Sequence, residues 1–219
     1  MRLTIQNKAK KDIFVFLFQQ LKQATKTVSL LFNEDHVYIQ GMDGSHVCLF
    51  EVKMFQAWFD TYDYEVKRTV AVDAAVLFQI LSICGEKQTL TVYYEENSEE
   101  EVLNIEFTNP ESQKENQEFD KYFRLPLIDY DGDILEIPET DYDVEFSLPS
   151  KKIQELVSQM SIFGSSAKIT CSEEKLMIGT EGINGVMNVV ISWDDINEYS
   201  ICEGETVESS FILNHLNKI

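Results

Sequence analysis

TVSLLFNEDHVYIQGMDGSHVCLFEV, residues 27–52, recurs as SAKITCSEEKLMIGTEGINGVMNVVI, residues 166–191, without a gap at an offset of 139 (27 to 166). Each copy reads as three short strands. Val28, Leu30 and Phe32 alternate with polar residues, and Asn33-Glu34-Asp35 make a turn. Val37 and Ile39 alternate again, a glycine-containing turn follows, and Val47, Leu49 and Val52 complete the unit. In the second copy Ala167, Ile169 and Cys171 overlie the first strand, and Leu176 and Ile178 the next. Period-two alternation between turn signals marks half-buried strands. Two copies of one meander imply two copies of one domain.

The segment before each meander repeats as well. At the same offset Phe14, Leu17, Phe18 and Leu21 overlie Ile153, Leu156, Val157 and Met160. That is i, i+3, i+4, i+7 in both copies, one apolar helical face. The expected module is therefore a strand, a helix and a meander, used twice in an α+β chain.

The 219 residues carry a formal net charge of −20, distributed unevenly. Residues 1–26 hold Arg2, Lys8, Lys10, Lys11, Lys22 and Lys26 against Asp12, a net of +5 that leaves −25 elsewhere. An acidic body with one basic helix suits a protein that repels polyanions over most of its surface and accepts one locally. Cys48, Cys84, Cys171 and Cys202 lie far apart with no C-x-x-C, as expected of reduced thiols in an intracellular protein. No apolar run approaches the ~18 residues of a membrane span, and the apolar core Ile13–Phe18 is too short for a signal peptide.

The first domain is predicted over residues 1–126. It begins with a strand at Arg2–Gln6 and a helix at about Lys8–Ala24. After the meander come a strand at Lys67–Val72 and a second helix, Ala74–Ile83, capped by Asp73. Strands Gln88–Tyr94, Val102–Phe107 and Glu118–Pro126 finish it. The acidic stretch 127–141 (LIDYDGDILEIPETD) reads as an extended linker. The second domain, residues 142–219, reaches Ile219 opposite Ile80 of the first, so residues 81–126 have no counterpart. It is expected to be C-terminally incomplete.

No P-loop, H-E-x-x-H, G-x-S-x-G or Rossmann glycine pattern occurs. His36, His46 and His215 are scattered, and Asp131 and Asp133 lack the later ligands of a calcium loop. The composition points to a binding or scaffold protein with no cofactor or metal, and not to an enzyme.

GMDGSHVCLFEV (41–52), FDTYDYE (59–65), LEIPE (135–139) and FILNHLN (211–217) resemble the eukaryotic sliding clamps of the proliferating cell nuclear antigen (PCNA) family. The resemblance runs in order along the whole chain. It implies the DNA clamp fold, with helices on the inner face and antiparallel sheets outside, assembled as a homotrimeric ring on double-stranded DNA. The implied DNA-facing residues are Lys8, Lys10, Lys11, Lys22, Lys151, Lys152 and Lys218. Val15 and Phe16 stand about where the family places helix lysines, and Glu155 occupies the corresponding face in the second domain, which weakens the basic lining. The implied peptide pocket is Met42, His46, Val47, Leu49, Leu135, Ile137 and Pro138. The implied subunit interface joins Tyr122 and Phe123 to Val186, Asn188 and Val190 of a neighbour. Glu173 replaces the lysine that eukaryotic clamps modify. Implied partners are a DNA polymerase, other clamp-binding-motif proteins and a clamp loader, with no membrane. The location is the nucleus, or a viral replication site if the source is a large DNA virus. The alternative reading is a clamp-fold transcription or checkpoint factor that does not act as a replicative ring.

Overall fold

The structure, a computed structural model, describes residues 1–96, 100–109, 118–130, 132, 134–137 and 139–217. Asn7 opens the first helix by accepting a hydrogen bond from the Lys10 amide at 3.2 Å. Helix α1 (Lys8–Ala24) then runs until the Thr25 amide closes it on the Leu21 carbonyl. Phe14, Phe18 and Leu21 are buried and Leu17 partly so, the stripe that periodicity predicted. Val15 belongs with them, half-buried against the core, whereas Phe16 is 57% exposed.

Two compact units are present, Met1–Leu135 and Glu136–Ile219. In the first, strands β1 (Arg2–Ile5), β2 (Thr27–Phe32), β3 (His36–Met42), β4 (Leu49–Phe55), β5 (Thr61–Asp63) and β6 (Arg68–Asp73) precede helix α2 (Ala74–Leu81). Strands β7 (Thr89–Tyr93), β8 (Val102–Thr108) and β9 (Lys121–Pro126) follow it. They form two antiparallel sheets, ordered β5-β1-β7-β8-β9 and β4-β3-β2-β6. Asp73 caps α2 as expected, accepting from the Val76 amide at 2.8 Å. Alternate residues of both sheets share one core with the helices: Ile5, Leu30, Ile39 and Val70 meet Leu90, Ile105 and Phe107 beside Phe18 and Leu77. Fully burying a side chain of this size stabilises by about 1.5–3 kcal/mol, so this shared core holds the two sheets together.

Lys11 departs from its expected place. Its side chain is only 4% exposed, and its ammonium donates to the carbonyls of Gly85 at 2.9 Å, Glu86 at 2.8 Å and Gln88. It ties α1 to the turn after α2 and cannot also face a phosphate. The family resemblance put it among the DNA-facing lysines. Only the packing of α2 and its following turn alongside α1 shows that this position is covered.

In the second unit the strands are β10 (Val144–Ser147), β11 (Ser166–Ser172), β12 (Leu176–Gly182), β13 (Gly185–Ile191), β14 (Glu198–Ile201) and β15 (Thr206–Ile212). The helices are α3 (Ser150–Met160) and the short α4 (Leu213–Leu216). β13-β12-β11-β15 form one sheet and β10-β14 another. Val157, Met160, Ala167, Ile178 and Leu213 make a smaller core. β14 was missed in the sequence, since its four residues offer only two alternating apolar positions, Tyr199 and Ile201, too few to show a period.

The repeat holds in register for most of its length. Leu30 pairs with Ile39 and Ile169 with Ile178; Val28 pairs with Val72 and Ala167 with Phe211. All four pairs of equivalent positions differ by 139 (30 to 169, 39 to 178, 28 to 167, 72 to 211). The third strand does not follow. Ile39 faces Val52, but Ile178 faces Val189, so the equivalence is 137 (52 to 189). Residues 44–47 separate Asp43 from Cys48, whereas only 183–184 separate Gly182 from Gly185. The tighter turn places Gly185 at φ +124°, a conformation suited to glycine. A two-residue slip preserves which face each side chain occupies, so the ungapped alignment had the inside and outside right and the partners wrong. The corrected spacing also matches Tyr62 to Tyr199. The Tyr62 hydroxyl donates to the Asn33 carbonyl at 2.6 Å, and that of Tyr199 to the Ser172 carbonyl at 2.8 Å. Burial pushes the Tyr62 phenol up to about 12, keeping it a donor at any physiological pH.

Replacing Lys11 by methionine leaves three carbonyls without their donor. The expected loss is about 2–4 kcal/mol, read as a lower midpoint in urea denaturation of the whole chain.

Candidate peptide cavity and nucleic-acid interface

β2 breaks strict alternation at Leu30-Leu31-Phe32. Leu31 is 7% exposed yet lies outside the shared core, on the opposite face of the sheet. That face is roofed by the segment after β9. The Ile128 amide donates to the Ala71 carbonyl at 2.8 Å, and Gln40 pairs with the Leu135 backbone in both directions, at 2.8 and 2.7 Å. Between roof and sheet is a cavity of about 610 Å³. Leu31 and Tyr38 line it with Met42, His46, Ile134 and Leu135, and Lys26 stands at its edge. Burial, with Glu51 adding to it, pushes the Tyr38 phenol up.

Of the expected pocket residues, Met42, His46 and Leu135 do line this cavity. Val47 and Leu49 do not: Val47 lies in the turn before β4 and is 66% exposed, and Leu49 starts β4 on its exposed side. Ile137 belongs to the second unit, and Pro138 lies outside the described residues. Leu31, Tyr38, Gln40, Ile134 and Lys26 were missed. The doubled apolar pair Leu30-Leu31 was the available signal for a second dry face.

Asp43 shapes the rim. It is 6% exposed, and its carboxylate accepts from the amides of Val47 and Cys48, each at 2.8 Å, from the Ser45 amide at 3.3 Å and from the Ser45 hydroxyl. The Ser45 hydroxyl, then the Cys48 and Val47 amides, hold its carboxyl well below the usual range. The turn it organises sets His46 at φ +57°, a sparsely populated conformation that local hydrogen bonds sustain.

The helix lysines are only partly available. Lys8 pairs with Asp12 at 2.7 Å, which raises its pKa, and Lys152 pairs with Asp195 at 2.5 Å. Lys10 lies 5.8 Å from the Trp58 ring centroid and Lys22 3.8 Å from that of Phe78, cation–π placements that leave the charge uncancelled. Lys151 is exposed, Lys11 is withdrawn as described, and Lys218 lies outside the described residues. Ile13 and Phe16 are exposed on α1 and Glu155 on α3.

β9 and β13 are edge strands of their sheets. Tyr122, Val186 and Val190 are exposed, as is Asn188. Phe123 is not an outward residue; its ring packs on Phe107 at 5.2 Å, because neighbours in a strand face opposite ways.

A family model described as the N-terminal domain of proliferating cell nuclear antigen matches residues 4–134. The chain belongs to the PCNA family. Relatives in that family include proliferating cell nuclear antigen 2 of Plasmodium falciparum, 26% identical over 94% of this chain and 77% of the relative. The Dictyostelium discoideum protein is 22% identical, covering 88% and 72%. Proliferating cell nuclear antigen 2 of Drosophila melanogaster is 26% identical, covering 90% and 74%. The structure of PCNA from Thermococcus kodakaraensis superposes with a TM-score of 0.85 at 18% identity, covering 99% of this chain and 83% of that one, which shows the clamp fold. PCNA-family clamps are non-enzymatic scaffold proteins.

Asp43→Ala should strip protection from the Val47 and Cys48 amides in hydrogen exchange at neutral pH. In the unmodified protein the sign follows from a folded pKa below the ordinary 3.8. The carboxylate stabilises the turn above about pH 4, and that contribution fades as the pH falls through the folded value. Equal exchange in both proteins would remove Asp43 as the organiser.

Proposed function

We propose that this chain closes with two further copies into a ring around duplex DNA and holds a polymerase and other motif-bearing proteins through the cavity of its first unit. The observation that carries the reading is one helix-and-meander module used twice in a chain of clamp fold. Residues 1–126 and 142–219 act as the clamp domains, with 127–141 as connector. Edge pairing of β9 with β13 of a neighbour would satisfy two open backbone edges, with Tyr122, Val186, Asn188 and Val190 outward around the joint and Phe123 contributing through its backbone.

A ring that slides must attract phosphates without reading bases. Lys10, Lys22 and Lys151 carry charges without an ion pair among the described residues, and Lys8 and Lys152 offer charges already shared with acids. This supports weak DNA affinity, with retention supplied by closure of the ring. A clamp loader is then needed to open it, and the place of action is the nucleus. The exposed Phe16 and Ile13 favour a second reading, a clamp-fold regulatory protein that does not encircle DNA.

Light scattering should give three times the chain mass, and Tyr122→Asp or Val190→Lys should give the monomer while the fold is kept. A wild-type monomer that fails to stimulate a polymerase on circular primed DNA would favour the second reading. Affinity for linear duplex should fall with salt with a log–log slope of about −0.9 per phosphate engaged, and Lys22→Ala should flatten it. After loading, closed circles should retain the protein far longer than linear DNA. Equal retention on both would rule out encirclement.

A further inference from the structure

We infer that the cavity of the first unit selects peptides carrying a carboxylate side chain beside their apolar anchor, and that Lys26 reads it. The inference rests on the peptide-docking reading above and adds the charge of the partner.

Lys26 follows Thr25, the C-cap of α1. The chain has turned by this point, and Lys26 lines the cavity with Met42, His46 and Leu135. Its backbone is fixed. The Ala74 amide donates to the Lys26 carbonyl at 2.9 Å, and the Thr25 hydroxyl to the Thr27 carbonyl at 2.9 Å. Its side chain is exposed, and its ammonium has no ion pair or hydrogen bond among the described residues. Leu30 faces Ile39 and Leu31 faces Tyr38; continuing that register sets Thr27 opposite Met42. The ammonium thus stems from the same end of the cavity as Met42, the flexible side chain suited to an apolar anchor.

The second unit carries the same cleft with its charges already matched. A cavity of about 310 Å³ lies on the face of β11, β12, β13 and β15, lined by Ser166, Lys168, Thr170, Met177, Gly179 and Glu208 among others. These are the positions of Thr27, Ser29, Leu31, Tyr38, Gln40 and Thr69 in the first unit, each 139 earlier (27 to 166, 69 to 208). There Lys168 pairs with Glu208 at 2.8 Å, and Lys168 with Thr170 pulls that carboxyl's pKa down. In the first unit Ser29 and Thr69 stand at the positions of Lys168 and Glu208, and Ser165 stands at that of Lys26 in the second, so the Lys26 ammonium is particular to the first cleft and meets no carboxylate among the described residues. In a chain of net charge −20, an open ammonium beside an apolar cavity is complementary to an anionic side chain and discourages a basic one.

The test uses the full chain and a scanning series of fluorescent 16-residue peptides with a fixed aliphatic and aromatic anchor. Glutamate, glutamine, lysine or phosphoserine is placed in turn at each flanking position, and affinity is read by anisotropy at two salt concentrations. One flanking position should favour glutamate over glutamine by about three- to tenfold at low salt and disfavour lysine. Lys26→Ala should abolish that preference, bringing the glutamate and glutamine peptides to equal affinity. Lys26→Glu should invert it. A glutamate preference that survives in Lys26→Ala, or no preference at any position while the anchored peptides bind, overturns the inference and leaves peptide docking standing. Failure of every peptide to bind overturns both. Phosphoserine binding more weakly than glutamate marks a site fitted to a carboxylate; phosphoserine gaining much more than glutamate overturns the choice of carboxylate.

Discussion

Strand alternation governs the first unit. Every second residue of β2, β3 and β6 enters the core shared by the two sheets, and the residues between them face the other way. On most sheets that second face is wet. Here the segment after β9 roofs it, held by the two hydrogen bonds between Gln40 and Leu135. Leu31 is therefore buried without belonging to the core, and a cavity exists where a plain sheet would offer a flat surface. The cavity, its rim at Asp43 and the lysine that lines it all depend on this second use of the strands.

Charge is managed locally. Lys8, Lys152 and Lys168 each have a carboxylate beside them, and Lys11 is spent on three carbonyls. Exposed ion pairs of this kind contribute little to stability, but they lower the field that a phosphate backbone meets. A basic helix in the sequence becomes a moderate one in the fold.

The two units show how far one module can diverge while its ladders persist. The first two strands of each meander and the returning β6 and β15 keep one spacing, because backbone pairing tolerates side-chain change on the outer face. The hairpin turn between the second and third strands changed length, and the strand register absorbed it in steps of two. Side chains on the outer face drifted most: a leucine–tyrosine pair at 31 and 38 stands where threonine and methionine stand at 170 and 177. The same place on the sheet became an apolar cavity in one unit and an ion-paired cleft in the other.

The duplication, most of the strands and helices and the apolar stripe of α1 were written in local periodicity, which is why they could be read from the residues with boundaries within a few positions. The N-cap at Asp73 and the family resemblance were legible for the same reason: each is a contiguous pattern. Tertiary structure alone decided the fate of Lys11, the loss of Val47 and Leu49 from the pocket, and the placing of Lys26 within it. These depend on which segment covers which face, a relation between residues far apart in the chain. Spacing along one strand or helix fixes the direction of a side chain, and the neighbour it meets there is supplied by the fold.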